Sequence, residues 1–163
     1  MHARSWLSVL LIVFGTVSCQ QHESEPEPVT VPAVIDGDTL EVYLGEKQKT
    51  VELCGIDAPE LDEPFGMEAQ EVLQSLVYRD GGQVHLVMTG RGEDGAVVGE
   101  VWFISMPGEE EIHINSEMLV QGMAVVDPGN VETCPNAHIY GPAEDRAKKE
   151  ALAIWTELDT REN

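Results

Sequence analysis

The chain has 163 residues, with 30 acidic side chains against nine basic ones, a formal charge of −21 and 42 % hydrophobic residues. That length allows one folded domain plus extras. Its charge runs against the basic stripe with which proteins ordinarily grip polyanions, because phosphate neutralisation supplies most of that affinity, and an acidic surface repels nucleic acid at long range.

Residues 1–18 read as a secretory signal peptide: Arg4 precedes the apolar run Leu7 to Phe14, which is too short to span a bilayer. Ser18-Cys19 looks like a lipobox, which makes Cys19 the lipidated first residue of the mature chain, although Thr16 stands where an aliphatic residue is usual and plain signal-peptidase cleavage is the alternative. The expectation is export, either as a cell-envelope lipoprotein held to the membrane by the lipid on Cys19 or as a secreted protein. Removing Met1 to Ser18 takes away one Arg and no acid, so the mature charge is −22. Residues 19–28 form an acidic tether, since Gln20 to Pro28 offers no apolar side chain to offset its ordering entropy.

The domain is expected over residues 29–157, with a polar tail at 158–163. From Val29 the chain alternates as strands do, and Leu40, Val42 and Leu44 share one face of Thr39 to Leu44. Gly45-Glu46-Lys47 turns the chain, and Lys49 to Ile56 returns. Met67 to Tyr78 carries a helical stripe of Ala69, Val72, Leu73, Leu76 and Val77. Val84 to Met88 and Val97 to Ile104 are two further strands. Asn115 reads as the N-cap of a short helix that ends at Gly122, and Ala124 to Val126 is briefly extended. A long loop, Asp127 to Pro142, leads to a last helix from Pro142 past Trp155. A strand meander with one helix between its third and fourth strands describes a β-barrel plus helices (α+β): a five-stranded OB-type barrel with about three helices.

Two turns carry the chemistry. Ile35-Asp36-Gly37-Asp38-Thr39 opens one strand, and Gly55-Ile56-Asp57-Ala58-Pro59-Glu60 closes another. Singly, each is an ordinary turn signal. A meander brings their acids together, and clustered carboxylates are costly without a hard cation such as Ca²⁺. Cys54 and Cys134 remain once Cys19 is lipidated, and in an oxidising compartment they favour a disulfide. The other reading makes Cys54 an apolar strand residue and Cys134 a free loop thiol.

In order and spacing these two turns, with Gly66-Met67-Glu68-Ala69, Ile114-Asn115-Ser116-Glu117-Met118-Leu119, Ala147-Lys148-Lys149 and Ile154-Trp155, resemble the staphylococcal nuclease-like (thermonuclease) family over Val29 to Trp155. The resemblance implies that Asp38 and Asp57 ligate Ca²⁺, that Ala58 adds its backbone carbonyl, and that Glu60 is the general base activating the attacking water. Leu53-Cys54-Gly55 and Cys134-Pro135-Asn136 look like a secreted bacterial branch in which Cys54 and Cys134 pair.

The phosphate-handling positions depart from the family. Glu52 stands where it has one Arg, and Ala96 where it has the other, with Asp94 at the adjacent Tyr. The nucleotide-contacting tyrosines fall at Pro128 and Asn130, and Arg91 is five residues out of register. One such Arg is worth about 10³–10⁵ in rate. The expected function is therefore a catalytically impaired, surface-tethered, Ca²⁺-binding module whose ligand other than nucleic acid the sequence does not name. The alternative is an active Ca²⁺-dependent secreted endonuclease cleaving single-stranded DNA and RNA. The chain is expected to be a monomer. No His or Ser sits in triad or ligand spacing: His22, His85, His113 and His138 read as solvated, and Trp102 and Trp155 as core.

Overall fold

A computed structural model of the chain describes residues 26–92, 95–104 and 111–159. The signal segment with Cys19, most of the tether, Asp94 and residues 160–163 lie outside the described residues. β1 (Glu27–Val34), β2 (Thr39–Leu44) and β3 (Lys47–Leu53) form the antiparallel meander. A two-residue strand, β4 (Ile56–Asp57), and helix α1 (Gly66–Val77) follow. β5 (Gln83–Arg91) then pairs with β1, and β6 (Val97–Ile104) with β5. The barrel closes through a parallel pairing of β3 with β6, in which Val51, Glu52 and Leu53 face Val97, Val98 and Gly99. Closure leaves β3 without a free edge, which an open meander would expose.

The period-two pattern explains the interior. Leu40 and Val42, Val51 and Leu53, Val84 and Leu86, and Val101 and Phe103 point inward from their strands. One end of this core is capped by Leu73, Leu76 and Val77 of α1 and by Ile114, Met118 and Leu119 of α2 (Ile114–Val120). Each fully buried side chain of this size contributes about 1.5–3 kcal/mol.

Several local expectations are corrected. Glu27 and Pro28, assigned to the tether, begin β1 opposite Leu86 and His85, because ladder pairing outweighs their composition. A short β7 (Glu111–His113) adds to β6, and β8 (Val125–Val126) pairs with β4. His113, not Asn115, caps α2: its Nδ1 accepts the Ser116 N–H at 3.3 Å. His113 is buried rather than solvated, at 6 % exposure. Trp102 and Trp155 are only half-buried, lying against His113 and under Lys148 respectively.

The expected single last helix is two, α3 (Tyr140–Lys149) and α4 (Ile154–Asp159). Ala151 (φ 49°) and Ala153 (φ 43°) adopt left-handed backbone between them. The Leu152 N–H bonds back to the Ala147 carbonyl, a Schellman-type stop built without glycine. The Ile154 N–H then reaches the Gly122 carbonyl at 3.3 Å, so the break docks α4 against the end of α2.

Candidate active site

The Asp36–Thr39 turn joins β1 to β2. Its backbone is held by the Ile35 N–H on the Thr39 carbonyl at 2.9 Å and by Asp36 Oδ1, which accepts the Asp38 N–H at 3.1 Å. Asp38 is aimed from three sides. Its Oδ1 accepts the Thr39 hydroxyl at 3.0 Å, its Oδ2 accepts the Ala58 N–H at 2.8 Å, and its carbonyl accepts the Leu53 N–H at 2.8 Å. Gly37 permits this approach, because a Cβ there would lie 2.7 Å from the Cβ atoms of both Ala58 and Ala69.

The second turn leaves β3 through Cys54 and Gly55, and Asp57 ends β4 opposite Val125. Gly55 is left-handed (φ 76°) and pressed against the Tyr140 ring and Cys134 Sγ, so no Cβ fits. Its N–H donates to Asn130 Oδ1 at 2.6 Å, and its carbonyl accepts the Asp127 N–H at 3.0 Å. Cys54 and Cys134 are joined as a disulfide with sequence separation 80, which ties the long loop to the same turn. Within that loop, 3-10 turns at Val131–Thr133 and Ala137–Ile139 fill what the sequence suggests is irregular chain.

The structure thus brings Asp38 and Ala58 into direct contact and places Asp57 one residue before Ala58. Glu60 follows on the exposed side of the turn, its N–H donating to Glu63 Oε2 at 3.1 Å. Among the described residues the Glu60 carboxylate has no hydrogen-bond partner, and no three His, Cys, Asp or Glu side chains stand close enough to hold a metal ion by themselves. The electrostatics are those of uncompensated negative charge. Burial pushes the Asp38 carboxyl up to about 7; the Ala58 N–H opposes this and the nearby Asp36 adds to it. Burial also raises Asp57, with Asp127 and Glu63 adding to the effect.

Glu52 lies opposite Thr39 on β2 and Val98 on β6, on the wall beside Asp38. Its carboxylate rests against Gly92, where an added Cβ would fall 2.1 Å from Oε2. Arg91, the neighbour of Gly92, is exposed at the end of β5 opposite Val97. Among the described residues the ion pairs are Arg146–Glu150 and Lys148–Glu144, with His113 Nε2 facing Glu100 at 3.5 Å, and none of these reaches this site. Asn130, at one of the family's tyrosine positions, is spent on the Gly55 N–H, while Pro128 is exposed.

Sequence reasoning missed one acid. Glu100, in the apolar run Val97 to Phe103, is 0 % exposed. Burial alone would raise its carboxyl, but the nearby His113 Nε2 and the Asn136 hydrogen bonds outweigh this and hold it below the usual value. Its place on an otherwise apolar strand was the available signal.

A barrel closed by a parallel strand pair, with two acidic turns bonded to one another beside it, is an OB-type fold. The family profile described as staphylococcal nuclease homologue matches residues 50–157, and the chain belongs to that family. An uncharacterized endonuclease of Haemophilus influenzae is 29 % identical over 152 residues, covering 93 % of this chain and 78 % of that protein. The micrococcal nuclease of Shigella flexneri is 30 % identical over 135 residues, covering 81 % and 75 %. Protein ParB of Escherichia coli is 34 % identical over 100 residues, covering 58 % and 54 %.

Proposed function

We propose that the chain is an exported, surface-tethered nuclease-family domain that binds Ca²⁺ and hydrolyses single-stranded DNA or RNA slowly. The donor set suits a hard cation: Asp38 and Asp57 offer carboxylate oxygens and Ala58 a carbonyl, leaving the remaining positions to water. The raised Asp38 and Asp57 carboxyls support this: burial is the main cause of both shifts and neighbouring acids add to it, and a bound cation would favour the ionised form. When bound, Ca²⁺ would polarise a phosphoryl oxygen. The exposed carboxylate of Glu60, without a hydrogen-bond partner among the described residues, is compatible with its acting as the general base on an attacking water.

The observation that carries slow turnover is Glu52. Charge stabilisation is the main contribution to phosphoryl transfer, and here the wall beside Asp38 holds a carboxylate packed on Gly92, with no cation paired to it among the described residues. The unpartnered Glu60 favours a second reading, an active endonuclease of the kind that the names of the Haemophilus and Shigella relatives describe. A Ca²⁺-dependent assay on single-stranded DNA separates the two. The proposal expects cleavage at least about a thousandfold slower than that of an arginine-bearing relative, and loss of what remains in Glu60→Gln. A comparable rate, still abolished by Glu60→Gln, would establish the active reading instead.

A further inference from the structure

A fully buried carboxylate is expensive unless its oxygens are satisfied. Glu100 meets that condition with groups from three segments. Oε1 accepts the Asn136 N–H at 2.8 Å and the Tyr140 hydroxyl at 3.1 Å, while Oε2 accepts Asn136 Nδ2 at 2.6 Å. His113 Nε2 faces Oε2 at 3.5 Å. This approach does not meet hydrogen-bond geometry, so Nε2 contributes by proximity, while Nδ1 accepts the Ser116 N–H. Three of these four groups come from Asn136 and Tyr140, at the end of the long loop and the start of α3.

The loop held in this way also builds the second acidic turn. Tyr140, 0 % exposed, presses its ring edge on Gly55, where a Cβ would lie 2.6 Å from Cε2. Cys134 bridges Cys54, Asn130 accepts the Gly55 N–H, and the Asp127 N–H donates to the Gly55 carbonyl. Gly55 lies two residues before Asp57, and Asp127 is close enough to raise the Asp57 carboxyl. Glu100 on β6 is thus bonded to the same loop that contacts the Gly55 turn.

We propose that Glu100 is a positioning residue: by holding Asn136 and Tyr140 it fixes the Gly55 turn and so the placement of Asp57 and Asp127. Its consequence for Ca²⁺ rests on the reading above, while its consequence for the turn does not.

The test compares Glu100→Gln with Val84→Ala, a core truncation on β5, at temperatures well below both melting points. The readouts are Ca²⁺ affinity by calorimetry and amide exchange at Gly55 and Asp127 in metal-free protein. Glu100→Gln should weaken Ca²⁺ binding about tenfold or more, as loss of an outer supporting partner does. It should also speed exchange at both amides by about tenfold through local opening. Val84→Ala, which lowers stability without touching the loop, should leave both within roughly twofold. If Glu100→Gln does not fold, Tyr140→Phe and Asn136→Ala, each removing part of the cluster, should show the same two effects at about threefold or more. Exchange at Gly55 and Asp127 that stays within roughly twofold of the unmodified protein in the variants that fold, or that Val84→Ala speeds equally, overturns the proposal. Failure of the unmodified protein to bind Ca²⁺ would overturn the cation reading and leave the exchange result to decide Glu100.

Discussion

The Ala58 N–H donates to Asp38 Oδ2 at 2.8 Å, so the backbone of one acidic turn is bonded to the side chain of the other, twenty residues earlier. This bond gives the site its shape. It spends one lone pair of the Asp38 carboxylate on aligning the Ala58 peptide and leaves others free for a cation. It also makes the protonation of Asp38 and the position of Ala58 interdependent.

That dependence has a pH signature. Asp38 is raised from 3.8 to about 7 in the metal-free fold. A raised carboxyl stabilises the folded state in its protonated form; the contribution is complete below the unfolded value and is lost as pH rises through about 7. The metal-free melting temperature should therefore increase as pH is lowered from 8 to 5.5, while saturating Ca²⁺ reverses the trend by requiring the ionised form. Calorimetric Ca²⁺ affinity should fall by about tenfold per pH unit below about 7. An affinity constant across pH 5.5–8 would contradict the burial of Asp38.

Restoring positive charge should restore rate. Glu52→Arg removes the carboxylate packed on Gly92, and Ala96→Arg adds a cation just before β6. Together they should raise single-stranded DNA cleavage by about 10³ or more, and by far more than either alone, since both act on one phosphoryl group. Single-turnover rates of the four proteins form the cycle; a purely additive result would mean the two positions do not share a phosphate.

Gly37→Ala should damage the site from within. Its Cβ would meet the Ala58 and Ala69 Cβ atoms at 2.7 Å, and neither can turn away because each is fixed to backbone. Overpacking of this kind costs about 1–3 kcal/mol. The turn should move off α1, lowering the denaturation midpoint and weakening Ca²⁺ binding together. An alanine variant equal to the parent in both would show that the two turns are less tightly apposed.

The Cys54–Cys134 bridge should be a large contributor to stability. Closing a loop of separation 80 is worth about 4 kcal/mol in the chain-entropy view. Reduction should lower the melting temperature by roughly 10 °C, and the denatured, unreduced protein should titrate with neither of these thiols free. Two reactive thiols there would remove the bridge.

Much of the frame was legible because it is local. Alternation in Leu40, Val42 and Leu44, the stripe of Leu73, Leu76 and Val77, and the ordered turns at Asp38 and Asp57 are short-range patterns, and the structure places them in strands, a helix and adjoining turns. The family resemblance likewise made Glu52 visible, as a carboxylate standing where the resemblance implies an Arg. Tertiary structure alone decided the rest. Nothing in Lys149 to Ile154 forbids a continuous helix; the break arises because Ile154 bonds the Gly122 carbonyl, whose residue lies some thirty positions away. His113 reads as a solvated residue, and Glu100 draws no reading at all, until β7, α3 and the long loop surround them, since the burial of a polar group depends on partners that arrive from distant segments. The sequence by itself therefore determined the family, the barrel and its acidic turns, while long-range packing determined which charges are buried and how the site is held.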